Sequence, residues 1–216
     1  MDILVACEES QRVCCEFLRK GHNVFSCDLF NFSGIRPDRH ILCDVRFIVN
    51  GFCTFKTMDG HIHFLDKKWD LIIAFPPCTY FSRVNFFNYY RNGIFNKKRF
   101  NESKPYVDLF YSIYNANCDK ICIENPLPIS LFKDILPPYS MKLQPYEFGE
   151  PYSKLTCLWL KGLPPLMPTV ICSKYSSYVV INGNMRNCKN ITEQSIFRSK
   201  TFLGVAVAMA EQWGVL

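Results

Sequence analysis

No stretch of the 216-residue sequence approaches the roughly 20 consecutive apolar residues of a membrane-spanning helix, because proline, asparagine or charge interrupts every apolar run. No basic segment precedes the first apolar run, Ile3-Leu4-Val5-Ala6-Cys7, and no small-residue cleavage site follows it, so an intracellular protein is expected. Twelve cysteines are present without a single Cys-x-x-Cys pair, and in a large apolar chain of this kind they read as reduced thiols. Cys118 and Cys122 flank a predicted strand, which argues against zinc, and Cys14, Cys27 and Cys157 suit small core positions. The four histidines are scattered; His61 and His63 alternate on a short strand and read as exposed, and no metal is expected. Internal repeats and low-complexity tracts are also missing, which leaves one core of ordinary size.

What is present is unevenly distributed. The net charge is only +6, yet residues 83–104 hold Arg83, Arg91, Lys97, Lys98, Arg99 and Lys104 against Glu102 alone. Phe86, Phe87, Tyr89, Tyr90, Phe95 and Phe100 are interleaved with those cations, the combination a splayed nucleic-acid strand requires. A solvated loop whose aromatics pack on the domain is the other reading of the same residues.

The order of elements predicts an α/β fold with a doubly wound, mostly parallel sheet. A first strand over 2–7 leads to a helix over 10–20, capped by Ser10 and ended by Gly21, then a strand at 23–27 closing on Asp28. A short segment at 41–45 carries Asp44. Further strands are expected at 69–75 and 120–124, with a helix at 105–116 between them. Segments 142–146 and 155–160 read as an antiparallel edge. Residues 1–161 are expected to form the core and 162–197 a short irregular insertion with a strand at 178–181; 198–216 add a helix in which Phe202, Ala206, Met209 and Trp213 face inward.

Chemistry concentrates at two strand ends. Ala74-Phe75-Pro76-Pro77-Cys78 places a cysteine straight after a buried strand, and the proline pair stops the strand and fixes the backbone beyond it. Open α/β sheets bind ligands at that end, and a helix beginning near Thr79 would favour the thiolate. A carboxyl, Glu124, follows a second strand on the same rim. A thiolate adding to an electron-poor pyrimidine needs a partner that protonates the ring nitrogen, and a carboxyl of raised pKa serves. A structural cysteine, and a carboxylate that caps the next element or pairs with a nearby lysine, are the plainer readings.

Together these residues resemble the cytosine-5 DNA methyltransferase family, and within it the compact phage and prophage members that lack a large target-recognition domain. Phe75-Pro76-Pro77-Cys78-Thr79-Tyr80-Phe81-Ser82 is similar to the family's nucleophile loop, and Glu124-Asn125-Pro126 to its Glu-Asn-Val. Residues 154–166 and Arg198-Ser199-Lys200-Thr201-Phe202 resemble the subgroup's late motifs. The resemblance implies S-adenosylmethionine as cofactor, bound around Ala6, Cys7, Glu8, Asp28, Asp44, Phe75 and Pro77. It implies Cys78 as nucleophile, Glu124 at nitrogen 3 of a flipped cytosine in DNA, and Asn125 supporting the Cys78 loop. Ser82, Arg83, Arg91, Lys97, Lys98, Arg99, Lys154 and Thr156 would face the nucleic acid.

The chain departs from that family in three places. Ala6-Cys7-Glu8-Glu9-Ser10-Gln11 replaces the glycine-rich cofactor turn, so the methionine carboxylate must be held differently. Lys154 and Thr156 stand where larger members carry a Gln-x-Arg-x-Arg motif, losing the arginine fork. Residues 162–195 are short for target recognition. A catalytically degenerate nucleic-acid binder of the same fold, or a modifier of free nucleotides or single strands, are the alternatives.

Overall fold

The computed structural model describes residues 1–178 and 200–216, with the side chains of residues 83–85 and 91 outside that description. In chain order come β1 (Asp2–Ala6), α1 (Arg12–Arg19), β2 (Asn23–Asp28), β3 (His40–Leu42) and the hairpin of β4 (Cys53–Lys56) and β5 (Ile62–Leu65). Then follow β6 (Leu71–Ala74), a small hairpin of β7 (Tyr90–Arg91) and β8 (Ile94–Phe95), α2 (Lys97–Tyr114) and β9 (Ile121–Pro126). β10 (Met141–Leu143), β11 (Tyr152–Ser153), β12 (Thr156–Lys161), β13 (Ser176–Ser177) and α3 (Leu203–Trp213) complete the described chain. The strand expected at 178–181 lies outside the described residues but for Tyr178, as do Arg198, Ser199 and most of the expected insertion.

Seven strands form one sheet in the order β10-β12-β9-β6-β1-β2-β3. Every neighbouring pair is parallel except the two made by β12, which runs against both β9 and β10. The chain starts in the middle at β1, winds outward through β2 and β3, then returns to β6 on the other side of β1. That reversal makes the carboxyl ends of β1 and β6 the topological switch point of a doubly wound sheet, where such folds open a crevice.

Both faces of the central strands are covered, which is why they read as unbroken apolar runs. Ile3 and Val5 of β1 and Leu71 and Ile73 of β6 pack with Phe17 of α1 and Met209 and Trp213 of α3. Leu4, Ala6, Ile72 and Ala74 point the other way, into a layer with Phe110 and Ile113 of α2, Phe55, Leu65 and Trp69. Each fully buried aliphatic side chain contributes about 1.5–3 kcal/mol, so these two layers dominate the stability. The indole N–H groups of Trp69, Trp159 and Trp213 donate to the carbonyls of Ile48, Pro137 and Pro164, which leaves those groups satisfied. Gly204 lets α3 approach closely, since a Cβ there would sit 1.8 Å from the Phe148 carbonyl.

Three local expectations are corrected. α1 is not capped by Ser10: Gln11 takes a left-handed conformation, and the Glu8 carboxylate reaches forward to accept from the N–H groups of Val13 and Cys14. α2 starts at Lys97, not 105, because the Asn96 side chain caps it by accepting from Arg99 N–H. Pro105 then falls inside the helix, where the carbonyl it cannot serve belongs to exposed Asn101. His63 is not exposed; its ring packs against Phe25 and Phe55 at 4.8 and 5.4 Å.

Candidate active site

The carboxyl-end rim is assembled from five strands. Ala6 ends β1 fully buried, so it contributes floor and not contact, and its carbonyl accepts from Phe75 N–H at 3.0 Å. Beyond β6, Pro76 is buried while Pro77, Cys78 and Thr79 are exposed. The Cys78 carbonyl accepts from the N–H groups of Phe81 and Ser82, which closes a tight turn. No α-helix begins at Thr79; a short 3-10 helix spans Arg83–Asn88 instead, so the expected helix dipole is missing from the Cys78 environment.

That turn is fastened on its far side to the segment after β9. Asn125, 1% exposed, donates from Nδ2 to the Pro76 carbonyl at 2.9 Å, across 49 residues of sequence. Ile129 N–H donates to the Phe81 carbonyl, and Ser82 bridges to Pro128. Below the turn, the Phe81 ring meets Phe132 edge-on at 5.0 Å. The strand end bearing Glu124 is therefore tied directly to the loop bearing Cys78.

Glu124 is half-buried, and burial raises its pKa against the opposing influence of the Lys154 ammonium and a hydrogen bond from Thr156. Phe75, Glu124, Lys154, Thr156, Lys200, Thr201 and Phe202 line a cleft whose enclosed part, about 20 Å³, has room for a single water. Lys154 Nζ lies 5.7 Å from the ring centres of both Tyr178 and Phe202. It therefore lines the cleft that holds Glu124. Buried Thr156 also has its Oγ1 3.2 Å from the Lys154 carbonyl, so its one hydroxyl proton is shared between that oxygen and Glu124.

On the other flank of the switch point the residues expected to hold a cofactor divide. Cys7 is half-buried in a left-handed conformation, its thiol pKa pushed up by burial and by the nearby Asp28 and Asp44 carboxylates. Asp28 accepts from Phe30 N–H, and burial raises its pKa. Asp44 is engaged by a guanidinium fork from Arg46, which lowers its pKa, and it also caps the turn Val45–Phe47. Glu8 is buried beneath α1 as its cap, with its pKa pushed up to about 7 by burial; it does not face the crevice as expected.

The basic-aromatic segment is ordered around the hairpin β7–β8, whose Asn92-Gly93 turn has positive φ at both residues, the signature of a type I′ turn. Rings link from Phe132 in the core through Phe100, Phe95 and Tyr90 to Phe86 and exposed Phe87. Lys97 and Lys98 are exposed at the start of α2. Arg99 departs from the expectation: its guanidinium lies 4.0 Å over the Tyr80 ring, where it packs the Cys78 loop. The side chains of Arg83 and Arg91 lie outside the described residues.

Sequence reasoning singled out neither Glu9 nor Gln11. Gln11 is fully buried, donating to Ser26 and to the Arg36 carbonyl and accepting from Arg36 N–H, so it holds the rim loops together. Two consecutive carboxyls placed straight after a buried strand were the available signal for Glu9. Among the described residues, no cluster of three or more His, Cys, Asp or Glu is placed to hold a metal ion, and no helix is long and apolar enough to cross a membrane.

No protein-family model matches the chain, and no curated protein does. Among solved structures it is similar to one described as a candidate DNA modification methyltransferase encoded within a prophage of E. coli, at 15% identity and a TM-score of 0.49. That match takes in 80% of this chain and 52% of the other, so the chain spans about half the length of the protein it matches.

Proposed function

We propose that the chain is a DNA cytosine-5 methyltransferase, in which Cys78 is the nucleophile, Glu124 the acid at the base and Asn125 the residue that positions both. The observation that carries this reading is the bond from Asn125 to the Pro76 carbonyl. It joins an exposed cysteine and a half-buried carboxyl of raised pKa on one rim, beside the switch point. A protonated carboxyl can give a hydrogen bond to nitrogen 3 of cytosine while the Cys78 sulfur forms a bond to carbon 6, so negative charge does not accumulate on the ring. When the methylated ring loses its carbon 5 proton, the bond to sulfur breaks and Cys78 leaves as thiolate. Burial raises the Glu124 pKa, which favours the protonated form the first half-step requires, while Lys154 and Thr156 pull the other way.

S-adenosylmethionine, when bound, supplies the methyl group. The rim carries groups suited to such a cofactor: Asp28 offers an acceptor, Phe75 an apolar wall, and Glu9 a buried carboxylate oxygen without a hydrogen-bond partner. Lys97 and Lys98 suit phosphate, and the exposed rings of Phe87 and Phe95 suit unstacked bases. The test is trapping with an oligonucleotide containing 5-fluorocytosine in the presence of cofactor. A covalent adduct mapped to Cys78 by mass spectrometry, absent from Cys78→Ala, is the expected result. Folded protein that binds cofactor yet forms no adduct with single- or double-stranded DNA would overturn the reaction.

A further inference from the structure

Just past β1 the chain buries two neighbouring carboxyls with different fates. Glu8 has both oxygens engaged by the first N–H groups of α1. Glu9, 7% exposed, uses Oε2 to accept from Ser33 N–H at 3.2 Å, while its Oε1 is buried with no hydrogen-bond partner. A buried acceptor left unmade is costly, and native structures rarely carry one without a ligand or a role.

The nearest cation is Lys200, whose Nζ lies 3.9 Å from Glu9 Oε1, beyond hydrogen-bond length. Lys200 donates to Ser33 Oγ at 2.9 Å, and an ammonium carries three donors. Its side chain is 24% exposed and lines the same cleft as Phe75 and Glu124. An unfilled anionic acceptor thus stands beside a cation with donors to spare, at the mouth of the crevice.

We propose that Glu9 and Lys200 form the receptor for a zwitterionic α-amino-acid head, with the α-ammonium donating to Glu9 Oε1 and the α-carboxylate accepting from Lys200. The proposal rests on the cofactor reading above and deepens it, since S-adenosylmethionine carries such a head. It also accounts for the missing glycine-rich turn. The amino terminus of α1, a natural anion site, is already filled by Glu8, so the carboxylate of the ligand must find its cation elsewhere. Lys200 is placed to provide it, and Glu9 neutralises the other half of the same head.

The probes are S-adenosylhomocysteine, which has the head, and 5′-methylthioadenosine, which lacks it. Isothermal titration of the full chain would compare wild type, Glu9→Gln and Lys200→Met, with circular dichroism confirming that each is folded. Each substitution is expected to weaken S-adenosylhomocysteine about ten- to a hundred-fold, the worth of a charge-assisted hydrogen bond, and to leave methylthioadenosine unchanged. Equal losses for both ligands, or none for either, would overturn the proposal while sparing the cofactor reading. A wild type that binds neither ligand would overturn both. Should Glu9→Gln fail to fold, Lys200→Met at its partly exposed position carries the comparison alone.

Discussion

Replacing Asn125 with alanine isolates the contact on which the candidate site depends. The side chain is 1% exposed and its Nδ2 donates to the Pro76 carbonyl at 2.9 Å, so the substitution removes one hydrogen bond and strands a buried acceptor. Leaving that buried carbonyl without its partner costs about 1–3 kcal/mol. For a chain of this size each kcal/mol lowers Tm by about 2–4 °C, so a fall of about 2–12 °C is expected in differential scanning calorimetry. The loop should suffer more than the fold as a whole, because Asn125 is the side chain that ties Pro76 to β9. Alkylation of Cys78 by iodoacetamide, followed by peptide mass mapping under native conditions, should therefore change rate even at temperatures where the variant is fully folded. A melting temperature within 1 °C of wild type together with an unchanged Cys78 rate would show that the bond does not position the loop.

Glu8 gives a stability signature with a defined sign. Its folded pKa of about 7 lies above the ordinary 4.5, so the folded state holds a proton the unfolded chain has lost, and stability should fall as pH rises from about 4.5 to 7, by on the order of 3 kcal/mol. Urea titrations across that range should show a flatter profile for Glu8→Gln, and an identical slope would exclude Glu8 as its source. Lys154→Met removes an influence that lowers the Glu124 pKa, so the carbon-13 titration of the Glu124 carboxyl should move upward; a downward move would contradict the cleft described here. Arg99→Ala, which loses the contact on Tyr80, should cost about 1 kcal/mol of stability in denaturant melts. The pair Lys97→Ala and Lys98→Ala should leave stability alone and instead reduce the salt dependence of DNA binding; the reverse pattern would exchange the two assignments.

Runs of buried aliphatics made the central strands legible, because β1, β6 and β9 are covered on both faces and Pro76-Pro77 marks where β6 must stop. Gly21 ended α1 as expected, with a left-handed φ of 82°. The start of α2 was hidden because proline is favoured in the first turn of a helix, whereas Pro105 is tolerated well inside this one, where the broken bond faces solvent. Of the site, Cys78 and Glu124 were readable as strand-end residues. The roles of Glu8 and Arg99 were not: Glu8 reaches forward to cap α1 because Gln11 takes a left-handed conformation, and the Arg99 guanidinium is laid on a ring 19 positions earlier. Charge in a sequence does not reveal whether it faces water, a helix end or an aromatic plane.

The single reversed strand has a consequence for how the chain is made. β9, with Ile121, Cys122 and Ile123 fully buried, leaves the ribosome about thirty residues before β12, the strand that pairs with its outer edge. At about 5–20 residues per second, that edge stays open for about 2–6 s of synthesis, exposed to any other extended chain nearby. The nascent protein therefore passes through a sticky interval that the finished one never shows, and a pause in translation between residues 126 and 156 would lengthen it.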